Sequence, residues 1–148
     1  MKKTTDVLTW LKGSPTWPLY FHEFRQNSAE TDVNETDGSG LTLLHYFAES
    51  GKADCAQDWI SRGASVDATD HDGNTPLFFA CCYGHADIVS LLLKNGANPS
   101  AKNRKGLTAL DYAMRLDESN KNREVIIGLF RNYSPELCVS AYCTAEGS

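Results

Sequence analysis

A step of 33 residues recurs through the middle of this chain, and it limits the possible folds more than any other feature. Glycines fall at Gly40, Gly73 and Gly106, threonines at Thr42, Thr75 and Thr108, and leucines at Leu44, Leu77 and Leu110. The same step relates Gly51 to Gly84, Gly63 to Gly96, Ala64 to Ala97 and Val33 to Val66. Self-similarity at a fixed period of this length marks a stack of small units, each too small to bury its apolar face alone.

The unit has a physical reading of its own. Thr75-Pro76-Leu77 reads as a helix start: a hydroxyl residue beside the free amides, then proline where its missing N–H costs nothing. Phe78 to Tyr83 continue that helix, and Gly84 can take a positive φ and stop it. Asp87 then opens a second helix, whose apolar side is Ile88, Val89, Leu91, Leu92 and Leu93, and Gly96 closes it. The polar run from Asn98 to Gly106 is expected as an exposed turn or hairpin. The predicted unit is helix, turn, helix, hairpin.

The segment from Asp70 to Ser100 resembles an ankyrin repeat. Residues that match the family's pattern are Asp70, Gly73, Thr75, Pro76, Leu77, Ala80, Gly84, His85, Ile88, Val89, Leu91, Leu92, Gly96 and Ala97. Phe78 stands where the family usually has histidine. The unit 37–69 keeps Gly40, Thr42, Leu44, His45, Gly51, Gly63 and Ala64, with Leu43 in place of the proline. The unit 103–134 keeps Gly106, Thr108, Leu110 and Ala113, then carries about four extra residues over Asp117 to Arg123, ahead of a second helix expected at Glu124 to Asn132. Residues 1–36 resemble a degenerate N-terminal repeat or cap, and 135–148 is expected to be a tail or C-terminal cap. The resemblance implies one all-α solenoid of about four repeats, with paired antiparallel helices and β-hairpin or turn fingers.

Composition excludes several chemistries. The formal charge of -5 and the pI near 5.3 give no general attraction for a phosphate backbone, so nucleic acid is not an expected partner. Lys2 and Lys3 are not followed by the apolar stretch of a secretory signal, and there is no apolar run long enough for a membrane span. Five cysteines without a framework spacing read as reduced thiols, which points to the cytoplasm or nucleus. Asp70-His71-Asp72-Gly73-Asn74 looks like part of a calcium loop, but its register would put Ala68 first and Phe79 twelfth, with no bidentate Glu. Cys81, Cys82 and His85 do not make a zinc site, because adjacent helical residues point apart. Hydrolase, kinase, phosphate-loop and metalloprotease motifs are absent, and His45 and His85 have structural explanations within the repeat. The expectation is no enzyme, no cofactor and no metal. Asn34 matches the finger asparagine that hydroxylases modify in some ankyrin repeats, as the resemblance implies.

What remains is surface. If Leu77, Ala80 and Cys81 face the core, positions 79, 82 and 83 turn outward on the first helix of their unit. The equivalent positions are 46, 49 and 50 in the unit before, and 112, 115 and 116 in the unit after. Tyr46, Phe79 and Tyr112 would then form an aromatic row, flanked by Tyr83, Cys82, Arg115 and Leu116. The finger positions are Ser39 and Leu41, then His71, Asp72 and Asn74, then Arg104, Lys105 and Leu107. Aromatic and arginine residues on an exposed concavity are typical interface anchors. The resemblance implies a monomeric, non-catalytic adaptor that binds another protein through this groove and the finger tips. Two alternatives stay open: an inhibitor or regulatory subunit that occludes an enzyme, and a nucleotide- or small-molecule-binding module using Arg104, Lys105 and Arg115.

Overall fold

A computed structural model describes residues 33–137. The expected entry repeat therefore lies outside the described residues except for 33–36, and the expected tail except for 135–137. Three helix pairs follow in order: α1 (Leu43–Ser50) with α2 (Ala53–Ser61), α3 (Pro76–Tyr83) with α4 (Ala86–Lys94), and α5 (Ala109–Met114) with α6 (Lys121–Tyr133). Helices α1, α3 and α5 pack side by side as one row, and α2, α4 and α6 form a second row behind it. Among the described residues no strand is present, so the fingers take the turn form of the hairpin-or-turn expectation.

Each first helix begins at the repeated threonine. Thr42, Thr75 and Thr108 hold extended backbone with ψ of 169, 167 and 166°, turning the chain out of the finger and into the helix. Helices α1 and α3 end at Gly51 and Gly84, with φ of +75 and +74°. Both glycines are required twice over. A Cβ on Gly51 would lie 2.8 Å from the His85 ring, and one on Gly84 would lie 2.8 Å from Asn120 Nδ2. The third unit has Asp117 in the equivalent place, and its α5 stops earlier, at right-handed Arg115. A longer connection follows. It is shorter than expected, because Asn120 accepts from Asn122 N and starts α6 at Lys121 rather than at Glu124.

The two rows close on a continuous core. Leu43, Leu44, Phe47, Leu77, Ala80, Cys81, Leu110 and Ala113 enter it from the first row, and Ala56, Ile88, Val89, Leu92, Ile126, Ile127 and Phe130 from the second. Trp59 fills the place that Leu92 takes one unit later. It is fully buried, meets Phe47 edge-to-face at 6.2 Å, and its Nε1 donates to Val33 O.

Each finger is built on one repeated side chain. Asp37 Oδ1 accepts from the amides of Ser39 and Leu41, Asp70 Oδ1 from those of Asp72 and Asn74, and Asn103 Oδ1 from those of Lys105 and Leu107. Neighbouring fingers join through main-chain bonds, His71 N to Ser39 O at 3.1 Å and Arg104 N to Asp72 O at 3.0 Å.

One repeat position is filled differently in each unit. In the first, His45 Nδ1 accepts from both the amide and the hydroxyl of Thr42, which leaves the proton on Nε2, and Nε2 donates to Asn74 O in the next unit. In the third, Asp111 Oδ2 accepts from the amide and hydroxyl of Thr108. The middle unit has Phe78, which packs edge-to-face on Tyr112 and cannot accept, so the buried Thr75 hydroxyl has no partner. Removing a hydroxyl that is bonded costs about 1 kcal/mol, whereas removing an unsatisfied buried one is neutral or favourable. Urea unfolding of Thr42→Val should therefore show a loss of about 1 kcal/mol, and of Thr75→Val no loss; equal losses would contradict the arrangement.

Burial holds the His45 imidazole below its usual 6.5, with the Asn74 carbonyl bond and the Asp70 and Asp37 charges acting the other way. The unfolded chain thus binds more protons than the folded one below that value, so stability should fall as pH drops below 6.5. His45→Phe, which copies the middle unit, should remove that part of the slope. An unchanged slope in urea titrations at several pH values would show that His45 does not supply it.

Candidate protein-binding surface

The repeat geometry sorts the expected aromatic row into supports and exposed groups. Tyr46 is 6% exposed, and its hydroxyl donates to Asp37 Oδ2. The expectation that it turns outward is therefore corrected: it braces the base of its own finger. Tyr112 does the same less completely, with its oxygen accepting from Asn103 Nδ2 at 3.0 Å. Phe79 is half-buried and meets the edge of His45 at 5.6 Å. The leading position of each triplet lies under a finger because the finger base stands nine residues before it, at Asp37 for Tyr46 and Asn103 for Tyr112. That spacing is visible in the sequence as Asp37–Tyr46 and Asn103–Tyr112, and Asp70–Phe79 breaks it in the middle unit.

Exposure begins one turn later, at the C-terminal ends of the first-row helices. Ser50, Cys82, Tyr83 and Arg115 are exposed there, and Glu49 and Leu116 are half-buried. Tyr83 is the most open of these aromatics, at 51%. Its hydroxyl pKa is raised, chiefly by the charge of Glu49, so the two side chains are neighbours across the first unit boundary. The Arg115 guanidinium lies 5.7 Å from the Tyr112 ring centroid, which ties it to the finger base through the Asn103 bond.

At the finger tips His71, Asp72, Arg104 and Lys105 are exposed. Asn74 and Leu107 are half-buried, and Asn74 is an internal link rather than a free tip: its carbonyl accepts from His45 and its Oδ1 from Asn103 Nδ2 at 3.0 Å.

The remaining polar candidates are accounted for by the fold. Burial pushes the Cys81 thiol pKa up, which disfavours the reactive thiolate, while Cys82 is exposed on the far side of the same helix. His85 Nε2 donates to Glu49 O at 3.0 Å, latching the second unit to the end of α1. In the next unit the latch is remade with Asn122 Nδ2 donating to Gly84 O at 2.8 Å. Asn34 Oδ1 accepts from Ser65 N. Among the described residues no three His, Cys, Asp or Glu side chains gather as a metal ion would require, and no helix is long and apolar enough to cross a membrane.

A family model described as ankyrin repeats (3 copies) matches the chain over residues 5–103 and 44–137. Comparison with curated proteins gives no match.

The two tyrosine roles separate in a stability measurement. Tyr46→Phe removes a bond to a carboxylate and should lower stability by about 1.5–3 kcal/mol. Tyr83→Ala should stay within about 0.5 kcal/mol of the parent, since the side chain is largely in water. Comparable losses in chemical denaturation would place Tyr83 in the packing and remove it from the surface.

Proposed function

Since the chain belongs to the ankyrin-repeat family, whose repeats generally mediate protein–protein interaction, we propose that it is a non-catalytic, monomeric adaptor. Its partner docks on the ends of the first-row helices and on the finger tips. The observation that carries this reading is the exposure of Tyr83 and, one unit on, of Arg115 on a row whose supporting tyrosines are tied down. A preorganised scaffold supports such a role because little ordering entropy is lost on docking.

The docking residues in this reading are Glu49, Tyr83 and Arg115 on the helices, with His71, Asp72, Arg104 and Lys105 on the fingers. Phe79 and Tyr112 contribute only their partly open edges. Tyr46, Asn74 and Leu107 act through the shape they give the fingers.

The test is affinity capture with cross-linking from native lysate, followed by calorimetric titration of the captured partner. Tyr83→Ala with Arg115→Ala should weaken binding at least about tenfold while the melting temperature holds, as expected for central aromatic and arginine anchors. Undiminished affinity, or turnover of a substrate by the purified chain, would overturn the proposal.

A further inference from the structure

The charges are ordered along the stack. Acidic residues outnumber basic ones five to two over 37–69 and three to two over 70–102, whereas 103–134 holds six basic against four acidic. The order survives along the first-row helix ends, where Glu49 is half-buried and Cys82, Tyr83 and Arg115 are exposed, and along the fingers. Along the helix ends, Glu49 in the first unit is followed by Cys82 and Tyr83 in the second and Arg115 in the third. Along the fingers, Ser39 is followed by His71 and Asp72, then by Arg104 and Lys105. The two rows are held in register by the main-chain bonds between fingers and by the Asn103–Tyr112–Arg115 contacts. Asp111 is half-buried at the start of α5, where its carboxylate accepts from the amide and hydroxyl of Thr108. Asp117 lies in the connection to α6, where Ser119 holds its pKa down within that turn.

Resting on the function proposed above, we infer that this face takes a protein segment of one polarity. Its acidic residues lie against Arg104, Lys105 and Arg115, an apolar or aromatic side chain covers Tyr83, and basic residues lie toward Glu49 and Asp72. Helix spacings of about 8–10 Å put Glu49 and Arg115 roughly 16–20 Å apart. An extended segment covers that span in about five or six residues. Opposed charges at the two ends set direction as well as encounter rate, because the reversed segment brings like charges together.

Selection of displayed random peptides of about twelve residues, twice that span, on the full chain tests the inference. Enriched peptides should carry Asp or Glu about five or six positions from Lys or Arg, with an apolar residue between. Binding of the best synthetic peptide should weaken at least about tenfold in Arg104→Glu/Lys105→Glu/Arg115→Glu, and its sequence-reversed version should bind as weakly to the parent. If that variant melts early, Arg104→Gln/Arg115→Gln replaces it, with a loss of at least about threefold expected. Peptides weakened by Tyr83→Ala but indifferent to these charge changes would overturn the polarity and leave the docking face standing. Peptides indifferent to both would overturn both, as would a selection that enriches nothing. Tighter binding of ATP or a short oligonucleotide than of any selected peptide, abolished by the same substitutions, would assign the basic end to phosphate instead.

Discussion

The contact between one unit and the next holds this molecule together. A stack of helix pairs has no central core shared by all its parts, so each unit must satisfy its polar and apolar groups against its neighbours. The apolar share comes from the side-by-side rows of helices. The polar share comes from a few bonds that cross each boundary: His45 to Asn74 and His85 to Glu49 at the first, Asn103 to Asn74 and Asn122 to Gly84 at the second. Because Gly51 and Gly84 leave room for the side chain that crosses above them, helix termination and unit stacking are one requirement.

Much of this was legible in the sequence because the repeat is a physical period. Threonine before each first helix, glycine after α1 and α3, and the apolar pattern of α4 place themselves without reference to tertiary contacts. The start of α6 at Lys121 is not legible, since Asn120 acts as a cap only once the connection has its actual length. The candidate surface was less legible for a different reason. Helical spacing gives the direction of a side chain, but it does not say what lies above it. The triplet predicts Tyr46 outward, but the finger built on Asp37 covers it. Asn74 fails in the same way, since a tip position by sequence became the node that joins three units.

The supports and the exposed groups divide the work between them. Tyr46 and Tyr112 fix the first and third fingers against the helices and main-chain bonds tie the middle finger to both, so Arg104, Lys105, Asp72 and His71 are presented from braced turns rather than loose loops. The first-row helix ends contribute Glu49, Tyr83 and Arg115 from neighbouring elements whose spacing the core sets. Recognition by such a surface draws on an arrangement that exists before any partner arrives, and its charge order comes from units that share a backbone plan while differing in side chains.

The most direct measurement is the hydrogen-exchange footprint of the captured partner on the full chain. Slowed exchange over 71–73, 82–85 and 104–106 and at the ends of α1 and α5, with α2, α4 and α6 unchanged, is the result this account predicts. Protection concentrated on the outward sides of α2, α4 and α6 would contradict it.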